Sequence, residues 1–146
     1  MLETKVRVVG EMTYKLKDKG VIVEQDTIKN LIVDVGENML AYLIKGDDST
    51  KGYVTHMAIG TGTDTATESD TSLQTQINRR PAPGVVTGSY IDFTATWPSA
   101  EGPYSITESG LFTASSTGNM FNRATFTTIA KPTGQELELT WRLTFE

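Results

Sequence analysis

The sequence predicts a mainly β fold: an antiparallel β-sandwich, jelly-roll-like, with one main helix, a short second helix and an N-terminal hairpin arm. Two observations carry this prediction. From residue 84 onward apolar and polar residues alternate, most cleanly where Leu137, Leu139, Trp141, Leu143 and Phe145 interleave with Glu136, Glu138, Thr140, Arg142 and Thr144. Such a strand has one face in a core and one in water. Turn clusters at residues 98–103, 115–118 and 131–134 then punctuate the pattern at short, regular intervals. A chain of 146 residues needs only one core. The expected organisation is a hairpin arm over residues 1–25 and a single sandwich domain over residues 26–146.

The arm comes first. Val6, Val8, Met12, Tyr14 and Leu16 lead through Asp18-Lys19-Gly20 into Val21, Ile22 and Val23, the pattern of a hairpin. Its many charges suit an edge pair that finds its apolar cover on another subunit. Lys5, Arg7, Tyr14 and Lys15 are therefore candidate interface residues. Apolar residues at helical spacing from Val35 to Ile44, with Asp34 and Glu37 as a capping pair, predict a helix over residues 34–45. A polar loop over residues 46–52 ends it.

Residues 53–59 read as a buried strand that runs into AIGTGTDTATESDTSL, residues 58–73. Gly60 and Gly62 are expected to let that strand turn out of the sheet. Asp70 is expected to cap a short helix over residues 69–77, with Leu73 and Ile77 facing inward. Strands follow around Ile91 to Trp97, around Tyr104 to Phe112, and from Met120 to Ile129, where the phase shifts once as at a bulge.

Composition excludes several function classes. Lys and Arg number 13 against 18 Asp and Glu, for a net charge of -5, and no basic block is present to hold a nucleic-acid backbone. There is no cysteine for disulfide or thiolate chemistry. No apolar run approaches the ~20 residues of a membrane helix, and MLETKVRVVG lacks the apolar centre of a cleavable signal.

The residues offer little chemistry. Gly60-Thr61-Gly62 lacks the Lys of a phosphate loop and the third glycine of a dinucleotide fold. Asp64, Glu68 and Asp70 are spaced unlike a Ca²⁺ loop, and the single histidine, His56, cannot build a multi-histidine metal site. No catalytic residue, cofactor or metal is expected, and the chain reads as non-enzymatic. Glu101 with Glu108, or Asp92 with Glu108, are formal carboxylate pairs of the glycosidase kind. With Trp97 and Tyr104 nearby, a glycan-binding module is the alternative from another class. Arg79 and Arg80 suit either an intersubunit seam or pairing within the chain. Glu108, between Ile106 and Gly110-Leu111-Phe112, calls for a buried partner, which Arg79, Arg80 or Arg123 would supply.

Residues 30–36 before a helix, His56 to Thr63, Asp70-Thr-Ser-Leu73, Ile106 to Phe112 and Glu138 to Phe145 together resemble a broad group of small tailed-bacteriophage structural proteins. The resemblance covers about residues 20–146. It implies a virion component, made in the host cytoplasm, of the kind described as tail, collar or fibre-associated proteins or as capsid decoration (cement) proteins. Its implied partners are the major capsid protein or other virion subunits, in a homo-oligomer expected to be a trimer. In that group the Gly60 to Leu73 pattern is scaffold. No repetitive shaft follows Phe145-Glu146, so the resemblance points to a compact accessory subunit, with a decoration protein as first expectation and a tail, collar or fibre adaptor as second.

Overall fold

The computed structural model describes residues 6–146. Its strands, in chain order, are β1 (Val8–Asp18), β2 (Val21–Lys29), β3 (Leu31–Ile32), β4 (His56–Gly60), β5 (Gln76–Pro81), β6 (Gly84–Thr87), β7 (Tyr90–Trp97), β8 (Tyr104–Phe112), β9 (Met120–Lys131) and β10 (Gln135–Phe145), with helix α1 (Asp34–Lys45) between β3 and β4. They form two five-stranded sheets, β2-β1-β10-β7-β6 and β3-β9-β8-β4-β5. Every pairing is antiparallel. Alternate residues of both sheets meet in one apolar cluster that includes Met12, Tyr14, Trp97, Ile106, Leu139 and Trp141, which makes the architecture sandwich-like.

The second sheet is buried on its outer side as well. Val33, Ala58, Leu73, Phe112 and Met120 form a smaller cluster there, and Leu73 is delivered to it by the loop between β4 and β5. The expected phase shift in β9 is present. Ile106 faces Ile129 while Glu108 faces Thr125, and a second shift follows between Leu111 and Phe112. The second bulge directs Phe121 into the main core and its neighbour Met120 into the outer cluster.

Three expectations need correction. The N-terminal hairpin exists, but it is not an arm. β1 pairs with β10 at every position from Val8 to Asp18, and Met12, Tyr14 and Leu16 are core residues. Its alternation is that of an interior strand with one face wet, and its charges lie on that wet face.

The short helix over residues 69–77 is absent. Gln74 and Thr75 donate their backbone N–H groups to the Glu108 carboxylate at 3.0 and 2.7 Å, so no helical bond can form there. Residues from Gln76 onward continue as β5, which leaves Ile77 partly exposed.

Asp34 and Glu37 do not cap α1. The N-cap is Val33, which makes no side-chain cap bond, and both acids lie in the first turn, where they face the positive end of the helix dipole. The N–H of Asp34 is satisfied by the carbonyl of Glu68 at 2.8 Å. The C-terminus follows expectation: Gly46 takes φ 89° and returns its N–H to Leu43.

Candidate functional site

The polar residues singled out in the sequence hold the fold together. Glu108 is fully buried at the centre of β8. Its Oε1 accepts the N–H groups of Gly62 at 2.9 Å and Thr75 at 2.7 Å, and its Oε2 accepts that of Gln74 and, at 3.0 Å, Arg123 Nε. Arg123, also buried, extends Nη1 to Asp70 at 2.8 Å and Nη2 to the carbonyl of Asp64. Burial raises the Asp70 carboxyl, but the N–H and hydroxyl of Thr67 together with Arg123 outweigh it and hold Asp70 below its ordinary value. One buried ion pair thus pins the Gly60 to Leu73 segment across the outer face of the second sheet.

Gly60 and Gly62 serve this cluster, and neither takes a left-handed φ. A Cβ on Gly60 would lie 2.5 Å from Glu108 Oε1, and one on Gly62 would lie 2.6 Å from the same oxygen. Close approach to this carboxylate and, nearer still, to the Thr75 carbonyl beside Gly60 and the Gln74 side chain beside Gly62 is therefore the reason for glycine, in place of the expected turn. Gly110 is similar: a Cβ there would lie 2.6 Å from the carbonyl of Asn122. Asp70, expected to open a helix, instead closes a turn on Thr67 and pairs with Arg123.

The expected interface residues do not gather in one place. Lys5 lies outside the described residues. Arg7 is exposed and its backbone pairs with Glu146. Tyr14 is in the core, where burial first, then Glu24 and Asp26, raise its hydroxyl pKa. Lys15 stands half-buried on the outer face of the first sheet, opposite Glu138.

Arg79 stacks on Phe112, 3.7 Å from the ring centroid, and donates to the carbonyls of Ala114 and Thr117. Arg80 grips Glu101 with bonds of 2.6 and 2.8 Å and donates to the carbonyl of Thr96. Both arginines are bound within the chain. Trp97 is fully buried and donates its indole N–H to Asn78, so it offers no face to a sugar. Among the described residues, no group of three or more His, Asp or Glu is placed to hold a metal ion, and no helix is long and apolar enough to cross a membrane.

The feature that sequence reasoning missed is apolar. At one end of the sandwich a cleft of about 640 Å³ opens between α1, the segment before β4 and the β5-β6 crossing. Leu40, Leu43, Val54, Pro83, Val86, Ile91, Phe93 and Phe145 are among its walls, and among the described residues no charged one lines it. Tyr53, 55% exposed, and Val86, 70% exposed, stand at its rim. Its signal in the sequence is the absence of charge: residues 81–91, PAPGVVTGSYI, contain no ionisable acid or base other than Tyr90.

No protein-family model matches this chain, and neither a curated protein nor a solved structure matches it.

Proposed function

We propose that this protein is a non-enzymatic structural subunit of a tailed-bacteriophage virion, a capsid decoration protein that binds the assembled head and strengthens it by added contact. The observation that carries this reading is the division of its surface. Glu101, Glu108, Asp70, Arg79, Arg80 and Arg123, the groups best suited to chemistry, are engaged in internal bonds, while the uncovered feature is an apolar cleft bordered by exposed strand edges. Apolar surface of this kind marks an association site. Many copies on a lattice multiply individually weak contacts.

The fold accords with this role. We read it as jelly-roll-like because sheet neighbours come from distant parts of the chain, β1 beside β10 and β4 beside β8. Purified protein added to empty heads that lack it is expected to co-sediment with them and to be seen spread over the shell by electron microscopy. A few copies confined to one vertex would assign it instead as a tail, collar or fibre adaptor. No retention on heads or tails would overturn the virion reading.

A further inference from the structure

The two edges of the first sheet are built differently. On β2 the core-side positions opposite Tyr14 and Leu16 are Asp26 and Glu24, and the pairing with β1 is broken by a register shift between Leu16 and Lys17. Asp26 Oδ1 also takes the N–H of Thr27 at 2.8 Å. Inward charge and a bulge are the means by which exposed edges are kept from pairing with other strands.

At the opposite side β6 covers β7 only from Tyr90 to Phe93. On the uncovered remainder of β7, the carbonyl of Thr96 accepts Arg80 Nη1 at 2.6 Å. Among the described residues nothing protects β6 in this way. It carries no charge, Val85 and Val86 are 63% and 70% exposed, and the core-side Val86 opens onto the apolar cleft.

We propose that β6 pairs edge to edge with β6 of a second copy of this chain about a two-fold axis, continuing the first sheet across a dimer. The argument for a second copy is electrostatic. A two-fold contact sets a surface patch against itself, so each charge on it meets the same charge. The chain carries -5, and β2 would oppose Glu24 and Asp26 to their own copies. The uncharged strip over residues 81–91 brings no like charges together. A two-fold axis perpendicular to the sheet sets Val85 opposite Val85, or Val86 opposite Val86, and keeps each face of the sheet continuous. The two clefts then adjoin, and Val86 is covered. The contact is a property of the chain alone and does not depend on the virion reading.

Sedimentation of the full chain over a rising concentration series tests it. A reversible dimer is expected. Val86→Lys is expected to raise its dissociation constant at least about tenfold, with an unchanged circular dichroism spectrum because the side chain is exposed. Val86→Glu is expected to do the same, and mixing the two variants to restore the dimer through opposite charges. Val23→Lys, on the β2 edge, is expected to leave it unaltered. Should Val86→Lys fail to fold, Val85→Lys makes the same test. A monomer at every concentration, a trimer, or a dimer indifferent to the β6 variants would overturn the proposal.

Discussion

Glu108 shows how a single residue can decide the course of a loop. A carboxylate removed from water demands donors on both oxygens, and here three backbone N–H groups from the Gly60 to Thr75 segment and one guanidinium meet that demand. Replacing Glu108 by Gln leaves the buried Arg123 with Asp70 as its remaining charged partner and is expected to cost about 3 kcal/mol, the low end for breaking a buried pair, read from urea unfolding midpoints. Arg123→Met strips the partner from the other side. The double variant is expected to lose clearly less than the sum of the two, because both single changes break the same Glu108–Arg123 contact and the double breaks it only once; simple additivity would argue against a coupled pair. Gly62→Ala drives a methyl toward Glu108 Oε1 and is expected to cost about 1–3 kcal/mol, although its φ suits alanine. That a buried acid needed an arginine was legible in the sequence, because Glu108 sits between apolar neighbours. Which arginine answers was not, since it depends on β8 and β9 lying side by side with Gly110 opposite Arg123.

At the scale of elements, the sequence was most readable where one period governs a whole segment. α1 runs from Asp34 to Lys45 and β10 alternates without a break, because each buries a single face. Reading failed where a distant group overrides local preference. Residues 69–77 have helix signals, yet the N–H groups of Gln74 and Thr75 go to Glu108. The apolar stripe of α1 continues to Ile44, yet that residue is 87% exposed. From sequence alone β1 reads as an arm because its wet face is highly charged, whereas its buried face carries Met12, Tyr14 and Leu16. Removing residues 1–17 is therefore expected to unfold the protein, since it exposes β10 and opens the core. Far-UV circular dichroism and proteolysis check this, and a folded, protease-resistant truncation would return the hairpin to the status of an arm. Leu73 is the only residue that the Thr61 to Thr75 strap places in the outer cluster. Leu73→Ala is expected to cost about 2–4 kcal/mol and to speed amide exchange in the strap before the rest of the sheet.

Over the whole molecule, pH acts on stability and on association by separate routes. Asp92 is held below its ordinary value first by its hydrogen bond to Arg142, against the opposing effect of burial; at Asp70 burial is the largest single influence and raises the carboxyl, but Thr67 and Arg123 together outweigh it. Hydrogen bonds from Thr50, then Ser49, hold the exposed Asp47 down to about 2. A carboxylate whose folded pKa is depressed contributes stability above its unfolded value, near 4, and loses that contribution as pH falls through its folded value. The urea midpoint is therefore expected to stay level from neutrality to about pH 5 and to fall progressively below about pH 4. Asp70→Asn and Asp92→Asn should each flatten that acid limb while lowering the plateau. Association follows net charge instead. The -5 carried at neutral pH vanishes near pH 4.9, so repulsion between copies is weakest there, while β6 (Gly84–Thr87) carries no ionisable side chain. Dimer strength is thus expected to rise from pH 8 toward pH 5 over a range in which the fold is equally stable. Added salt at pH 8 should reproduce that rise by screening the same repulsion. Weakening of the dimer by salt would show that ion pairs hold the contact, and the uncharged edge would then not be its seat.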